Sequence, residues 1–104
     1  MTDDKLIQVE VDGAVVAEAT LTVSADAQAR AAVHVEPGHL PTGTRSQVAT
    51  AVNDAAVADS AEHLTASLPR GDAELVTELR AHLDDTSLRS AGATTIIEGD
   101  VRQA

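Results

Sequence analysis

Phenylalanine, tyrosine and tryptophan are all absent from this chain of 104 residues. Proteins usually hold single-stranded nucleic acid by stacking its bases on aromatic side chains, so that mode of binding is excluded. The chain also carries a formal net charge of -10, from 17 acidic and 7 basic side chains. Such a charge repels the phosphates of nucleic acids and the headgroups of anionic membranes. We therefore expect neither nucleic acid nor a membrane among its partners.

Cysteine is absent as well, which excludes disulfides, thiol catalysis and zinc sites built on sulfur. The four histidines, His34, His39, His63 and His82, follow no recognised metal-ligand spacing, so no metal site is predicted. No serine lies in a G-x-S-x-G nucleophile elbow, and no catalytic residue is assigned. Long apolar runs and a signal-peptide pattern are also missing, so the default expectation is a cytoplasmic protein.

The length fits a single α/β domain covering residues 1–104. Without aromatic residues its core must be built from Val, Leu, Ile and Ala, which bury less surface per side chain. We therefore expect modest stability for the monomer, or stability supplemented by association into a homodimer. A symmetric dimer could also cover an exposed edge strand, and the acidic surface could direct a basic protein partner.

Alternating apolar residues predict an antiparallel meander in the first third of the chain. A strand over residues 5–11 is followed by Asp12-Gly13, which favours a type I′ turn, and by a return strand over residues 14–24. The residues expected to face the core in the return strand are Val15, Ala17, Ala19, Leu21 and Val23. A third strand should end at Val35, where a loop rich in proline and glycine begins.

The apolar spacing changes to a helical period from Thr44 to about Ala58. Its stripe is predicted to consist of Val48, Ala51, Val52 and Ala55. Either Thr42 or Thr44 is expected to cap the start of this helix, because a hydroxyl can accept from a free backbone N–H.

Two further strands and one helix are predicted in the last third. A fourth strand covers residues 62–68, and Asp72 then caps a helix that continues through Leu83. Residues 84–91 look like a polar connection, and residues 92–101 form the final strand. The predicted order is ββ-β-α-β-α-β, an α/β (α+β) fold with a mixed sheet and two helices.

The third and fourth strands should be parallel, because a strand–helix–strand connection makes a right-handed crossover. The loops over residues 37–43 and 69–71 then lie at the same edge of the sheet, where open α/β sheets bind ligands. A helix beginning near Thr44 leaves backbone N–H groups free for an anion, and Arg45 and Arg70 could assist it. The alternative is that both arginines are solvated surface side chains. Glu36 and His39 could form an acid–base pair, or His39 could be an ordinary loop histidine.

This order of elements, with Val35-Glu36-Pro37 leading through glycine into a helix, resembles the Gcn5-related N-acetyltransferase (GNAT) family. In that family a Val-x-Pro-like turn precedes a glycine-rich loop, whose backbone amides bind the pyrophosphate of acetyl-coenzyme A. By this resemblance Val35 and Pro37 match the turn, Gly43 matches the first loop glycine, and Val48 matches an apolar position in the helix. Arg45 stands where the family has its second glycine.

The resemblance implies coenzyme A or acetyl-coenzyme A as the cofactor. The residues it assigns to cofactor binding, together with the arginine of the second loop, are Val35, Gly43, Thr44, Arg45 and Arg70. The pantetheine arm would lie between strands that separate around Val35 and Leu64. The chain would correspond to a degenerate, N-terminally truncated member, covering the family's second strand onward. The general-acid tyrosine common in the family has no counterpart here, so catalysis by that route is excluded.

Three functions follow as hypotheses. The first is a non-catalytic acetyltransferase-like domain that binds a protein partner or a small anionic ligand. The second is an N-acyltransferase that uses acetyl-coenzyme A, and the third is a structural homo-oligomer. A shift of the melting temperature by acetyl-coenzyme A would favour cofactor binding, whereas a size that depends on concentration would favour the oligomer.

Overall fold

The computed structural model describes residues 3–36 and 40–102. The strands are β1 (Asp3–Val11), β2 (Ala14–Val23), β3 (Gln28–Val35), β4 (His63–Pro69), β5 (Leu83–Ala91) and β6 (Thr94–Val101), and the helices are α1 (Thr44–Ala58) and α2 (Ala73–Arg80). The six strands form one mixed sheet in the order β1-β2-β3-β4-β6-β5. The predicted loop residues Pro37, Gly38 and His39, and with them the proposed pairing of His39 with Glu36, lie outside the described residues.

The antiparallel meander of β1, β2 and β3 is confirmed. Asp12 and Gly13 both have positive φ, 53° and 82°, as a type I′ turn requires. The expected burial of Val15 is wrong, because this side chain is 36% exposed. The β1–β2 register shifts at Val9 and Glu10, so the strict alternation does not continue to the hairpin end.

Strands β3 and β4 are parallel, as predicted. Their pairing runs from Gln28 opposite His63 to Ala32 opposite Ser67. Both strands continue beyond the last pair, β3 to Val35 and β4 to Pro69. The two strands therefore separate at their carboxyl ends and leave a gap in the middle of the sheet.

Both helices pack on one face of the sheet. Cross-strand partners such as Ala19 with Val33, and Ala66 with Ile97, lie on that face and are buried. They form one core cluster with the buried residues of α1 and α2. The largest fully buried side chains are Leu21, Leu64, Leu68, Leu75, Leu79, Ile97, Val48 and Val52. The opposite face carries no helix in the described ranges, so the molecule has two layers there.

The bounds of α1 are confirmed, but its buried face is rotated from the predicted stripe. Ala49 and Ala56 are buried, whereas Ala51 and Ala55 are only partly covered. The reason is that α1 packs against α2 as well as against β1 and β2, which widens its buried surface to the side of α2.

Neither threonine caps α1. The N-cap residue is Gly43, in a left-handed conformation with φ of 91°, and no side chain accepts from the first turn. Thr44 is buried inside the first turn, and its hydroxyl donates to the Pro41 carbonyl at 2.8 Å. That bond removes the hydroxyl from the capping position.

The end of α2 and the element after it differ from the prediction. The helix ends at Arg80, and Leu83 begins β5 instead of closing the helix. The expected polar connection over residues 84–91 is therefore a strand, and the sheet has six strands where five were predicted. Most of β5 is exposed because it forms one edge of the sheet and no helix covers most of its length, so its sequence lacks the apolar alternation that marks a half-buried strand.

A bulge in β5 explains one glycine of its partner strand. The β5–β6 register shifts between Asp84 and Ser87, and Asp85 there has φ of 53°. A Cβ at Gly99 would stand 2.9 Å from the Asp84 carbonyl oxygen. Only glycine therefore fits opposite this bulge without a backbone shift.

No helix within residues 3–36 and 40–102 is long and apolar enough to cross a membrane.

Candidate functional site

The carboxyl ends of β3 and β4 and the starts of both helices meet at one edge of the sheet, which we call the rim. A hollow of about 640 Å³ opens there. Its walls include Val35, Leu40, Arg45, Pro69, Arg70 and Asp72. Three of the residues assigned from the sequence, Val35, Arg45 and Arg70, are thus brought together. Gly43 and Thr44 lie next to Arg45 at the start of α1 but do not line the hollow.

The Arg45 side chain already has partners at the rim. Its Nε atom donates to both carboxylate oxygens of Asp72, at 2.8 and 2.9 Å, and its Nη1 atom lies 3.7 Å from Glu74. Asp72 is mostly buried, with 11% of its side chain exposed, and it also caps α2 by accepting from the Leu75 N–H at 3.1 Å. The same carboxylate therefore stabilises the start of one helix and holds an arginine of the other.

The pairing of Arg45 with Asp72 could not be deduced from the sequence. The spacing identifies Asp72 as a cap, but the two residues are 27 positions apart. Their contact depends on the two helix starts lying side by side. One feature of the sequence does indicate that they are near each other. Both residues follow the ends of parallel strands, which places them at the same sheet edge.

Arg70 is exposed, and its Nη1 atom donates to the Gly92 carbonyl at 3.0 Å. The hollow therefore has two arginines, but it also has the carboxylates of Glu36, Asp72 and Glu74. Its side chains provide no excess of positive charge. Any preference of the rim for an anion must come mainly from backbone groups.

The start of α1 supplies such groups. The Thr44 N–H donates to the Pro41 carbonyl at 3.2 Å. For the next two amides, those of Arg45 and Ser46, no acceptor is found in the described part of the chain. No acidic side chain lies in this first turn. Two free N–H groups at the positive end of a helix of 15 residues form an environment that favours an anion.

The gap between β3 and β4 can be entered from the other face of the sheet as well. A second hollow of about 440 Å³ on that face is lined by Glu18, Ala32, His34, Ser67 and Pro69, among others. Pro69 lines both hollows, so one hollow borders the gap on each face of the sheet. The expected separation at Val35 is thus observed. On β4 it occurs at Leu68 and Pro69 instead of around Leu64, which is buried and paired with Ala29.

No protein-family model matches the sequence, and no curated protein matches it in a sequence search. Solved structures do match its fold. One is a protein from Klebsiella pneumoniae assigned provisionally to the acyl-CoA N-acyltransferases, with a TM-score of 0.71 and 11% identity over 95% of this chain and 73% of that one. Another is the GNAT domain of the S. lividans PAT protein, with a TM-score of 0.67 and 13% identity over 95% of this chain and 61% of that one. The chain has the GNAT fold.

A third structure is a provisionally assigned acetyltransferase from Salmonella typhimurium with its cofactor acetyl-CoA. Its TM-score is 0.66, with 14% identity over 95% of this chain and 65% of that one. This chain therefore spans 61% to 73% of the length of these three GNAT-fold proteins. The fold expected from the order of elements is confirmed, with one strand more than expected.

Proposed function

We propose that this chain binds coenzyme A or an acyl-coenzyme A at the rim. The observation that carries the proposal is the open start of α1, where the Arg45 and Ser46 amides have no acceptor among residues 3–36 and 40–102 and lie beside the gap between β3 and β4. The GNAT fold supports it, since one protein of this fold is described with acetyl-CoA. The pyrophosphate would accept from the two amides, as anions do at helix N-termini.

The local geometry suits a close approach by a phosphate. Gly43 has the left-handed backbone that leads into α1, and a Cβ built there would have no atom within 4 Å. Among the described residues, no side chain therefore crowds this glycine. Arg45 uses its Nε atom for Asp72, but a guanidinium has five N–H donors, so others are left for a phosphate oxygen.

The gap suits the pantetheine arm. From Val33 to Val35, strand β3 has no partner in β4 among the described residues. Backbone groups on that side of β3 can therefore bind the amides of a ligand, as a sheet edge binds an added strand. Binding of this kind uses no side chain, which agrees with the lack of charged excess at the rim.

Transfer of the acyl group to an amine is a second candidate function, favoured by the opening of the gap to both faces of the sheet. An acyl thioester at the rim would meet an acceptor arriving from the opposite face. In such a transfer the carbonyl carbon loses its bond to sulfur and gains one to nitrogen, while the amine releases a proton and the thiolate takes one up. His34 and Glu18 line the opposite face and are the candidate proton acceptors.

Calorimetric titration with acetyl-coenzyme A, combined with amide chemical shifts, tests the binding proposal. We expect saturable binding, with the largest shifts at Arg45 and Ser46 and at the ends of β3 and β4. An absence of binding at millimolar ligand, or shifts confined to other regions, would contradict it. Release of free thiol in the presence of an amine then separates transfer from binding alone, because the non-catalytic alternative predicts binding without thiol release.

A further inference from the structure

The helix-free face of the sheet carries a broad polar hollow of about 740 Å³. Its floor consists of small side chains on adjacent strands, namely Thr20 of β2, Ala32 of β3, and Thr65 and Ser67 of β4. Longer side chains stand around this floor, among them Arg30 and Arg89. We call this feature the open-face hollow.

Arg30 and Arg89 are unusual among the seven basic residues of the chain. Lys5, Arg45 and Arg102 form ion pairs, and Arg70 donates to a backbone carbonyl. Within the described ranges Arg30, Arg80 and Arg89 have neither an ion pair nor a hydrogen bond. Two of these three arginines therefore line one hollow, in a chain whose net charge is -10.

The sheet register places the two arginines on opposite sides of the floor. Arg30 on β3 lies opposite Thr65, whereas Arg89 on β5 lies opposite Ile96, which in turn lies opposite Ser67. They are separated by three strand spacings across the sheet and by two residues along it, or roughly 16 Å between backbones. Both arginines line the same hollow, so a ligand that spans the small residues of its floor can contact both guanidinium groups.

The carboxylates in the same hollow have other contacts. Asp26 accepts from the Ser24 hydroxyl, and this bond is the main reason why the pKa of Asp26 lies below its ordinary value, with a smaller contribution from the charge of Arg30. Glu98 lies 3.5 Å from the Nε2 atom of His63. The hollow thus has two carboxylates beside its two arginines, and within the described ranges neither guanidinium group has an ion pair or a hydrogen bond.

The open-face hollow continues to the gap between β3 and β4. It shares Thr20, Ala32 and Ser67 with the smaller hollow that is lined by Glu18, His34 and Pro69. A ligand on this face can therefore extend from the arginines to the gap. Its two ends would meet different chemistry, two guanidinium groups at one end and two proton acceptors at the other.

We infer that the open-face hollow binds an amine that carries a carboxylate or a phosphate, with Arg30 and Arg89 contacting the anionic group. The amine end lies toward His34 and Glu18, next to the gap. The role of this molecule as an acyl acceptor rests on the proposed function, whereas its binding does not. Guanidinium groups suit both anions because they donate two parallel hydrogen bonds.

Three probes test this inference by titration while the arginine Nε–H signals are followed by NMR. The probes are 6-aminohexanoate, 3-aminopropyl phosphate and hexylamine, of which the last has no anionic group. We expect at least one of the two anionic probes to shift the signals of Arg30 and Arg89, and the stronger one identifies the preferred anion. Equal binding of hexylamine, or no shift with any probe, would overturn the inference.

Substitutions supply the matched control. Arg30→Gln and Arg89→Gln should each weaken binding of the anionic probe by about tenfold, the effect of losing a charge-assisted hydrogen bond. Arg80→Gln removes an equally unpaired arginine from α2, which lies outside the hollow, and should leave binding unchanged. Equal losses in all three variants would indicate a general charge effect and overturn the assigned contacts.

Acetyl-coenzyme A is titrated into the same variants, so that the two proposals can fail separately. We expect its binding to the Arg30→Gln and Arg89→Gln proteins to be unchanged, which also shows that these variants are folded. If acetyl-coenzyme A binds and the probes do not, the inference is wrong and the proposed function stands. If the probes bind and acetyl-coenzyme A does not, the proposed function is wrong and the acceptor role fails with it.

Discussion

The two helices begin at the same rim, but their first turns are built differently. Helix α2 starts at Asp72, whose carboxylate accepts from the Leu75 N–H, and it has Glu74 in its first turn and Arg80 in its last. Helix α1 starts at Gly43, has no capping side chain and has no acidic residue in its first turn. The charges of α2 thus complement its own dipole, whereas those of α1 do not.

This difference separates a terminus that is capped by a carboxylate of the chain from one that has no side-chain cap, where we propose that a ligand binds. A carboxylate at the start of α2 occupies the place that an external anion would take. In α1 the amides of Arg45 and Ser46 have no acceptor in the part of the chain that the structure describes, and no carboxylate occupies that place. Glycine at an N-cap costs only a few tenths of a kcal/mol relative to a polar cap, so the lack of a side-chain cap at the start of α1 lowers the free energy of unfolding only slightly.

Removing the side-chain cap of α2 should have the largest effect on the free energy of unfolding. Asp72→Ala deletes the acceptor of the Leu75 N–H and the partner of Arg45 together. We expect a loss of about 2 kcal/mol, roughly half from the cap and half from the partly buried ion pair. Chemical denaturation monitored by circular dichroism measures this loss.

Asp72→Asn sharpens the assignment, because an amide oxygen can still cap the helix while the charge is lost. It should cost about half as much as Asp72→Ala. Asp54→Ala is the surface control, since Asp54 is exposed in the middle of α1, and it should change stability by less than about 0.5 kcal/mol. A loss at Asp72 no larger than at Asp54 would refute the double role of this carboxylate.

The glycines before the two helices form a matched pair. Gly43 and Gly71 have φ of 91° and 90°, and a Cβ at either position would meet no atom within 4 Å. Gly43→Ala and Gly71→Ala should therefore each cost about 1 kcal/mol through backbone strain alone. Binding distinguishes them, because only the methyl group at Gly43 would stand beside the open terminus. We expect weaker acetyl-coenzyme A binding for Gly43→Ala and unchanged binding for Gly71→Ala, both measured by calorimetry. Equal effects on binding would show that the two termini do not differ in this respect.

The parts of this fold that could be predicted are those whose sequence pattern reflects burial. The bounds of helix α1 are predictable because its apolar residues recur with a helical period between a glycine and a turn. Strand β3 is predictable because its burial alternates without exception, with Ala31, Val33 and Val35 facing the core. Strand β5 is not predictable in this way, because an exposed edge strand has few residues that face the core.

The candidate site was predictable only in its location. The parallel pair of β3 and β4 follows from the strand–helix–strand order, and with it the convergence of Arg45 and Arg70 at the rim. The engagement of Arg45 by Asp72 depends on the packing of α1 against α2, which no local pattern encodes. The open-face hollow likewise depends on which face of the sheet the helices cover, and periodicity within a strand cannot determine that.

Placing a carboxylate at the start of α1 should increase the free energy of unfolding, whereas the substitutions at Asp72, Gly43 and Gly71 should lower it. Ser46→Glu introduces at the start of α1 the kind of acidic residue that Glu74 provides in α2. It should stabilise the fold by about 0.3–1 kcal/mol, because a negative charge complements the positive end of the helix. The same charge would repel a pyrophosphate, so acetyl-coenzyme A binding should weaken by about tenfold or more. Ser46→Gln has nearly the same size without the charge and should retain most of the affinity. A Ser46→Glu protein that is more stable and still binds acetyl-coenzyme A as tightly would show that the ligand does not use this terminus. An anion site at an uncapped helix requires the opposite result, in which stability rises and affinity falls.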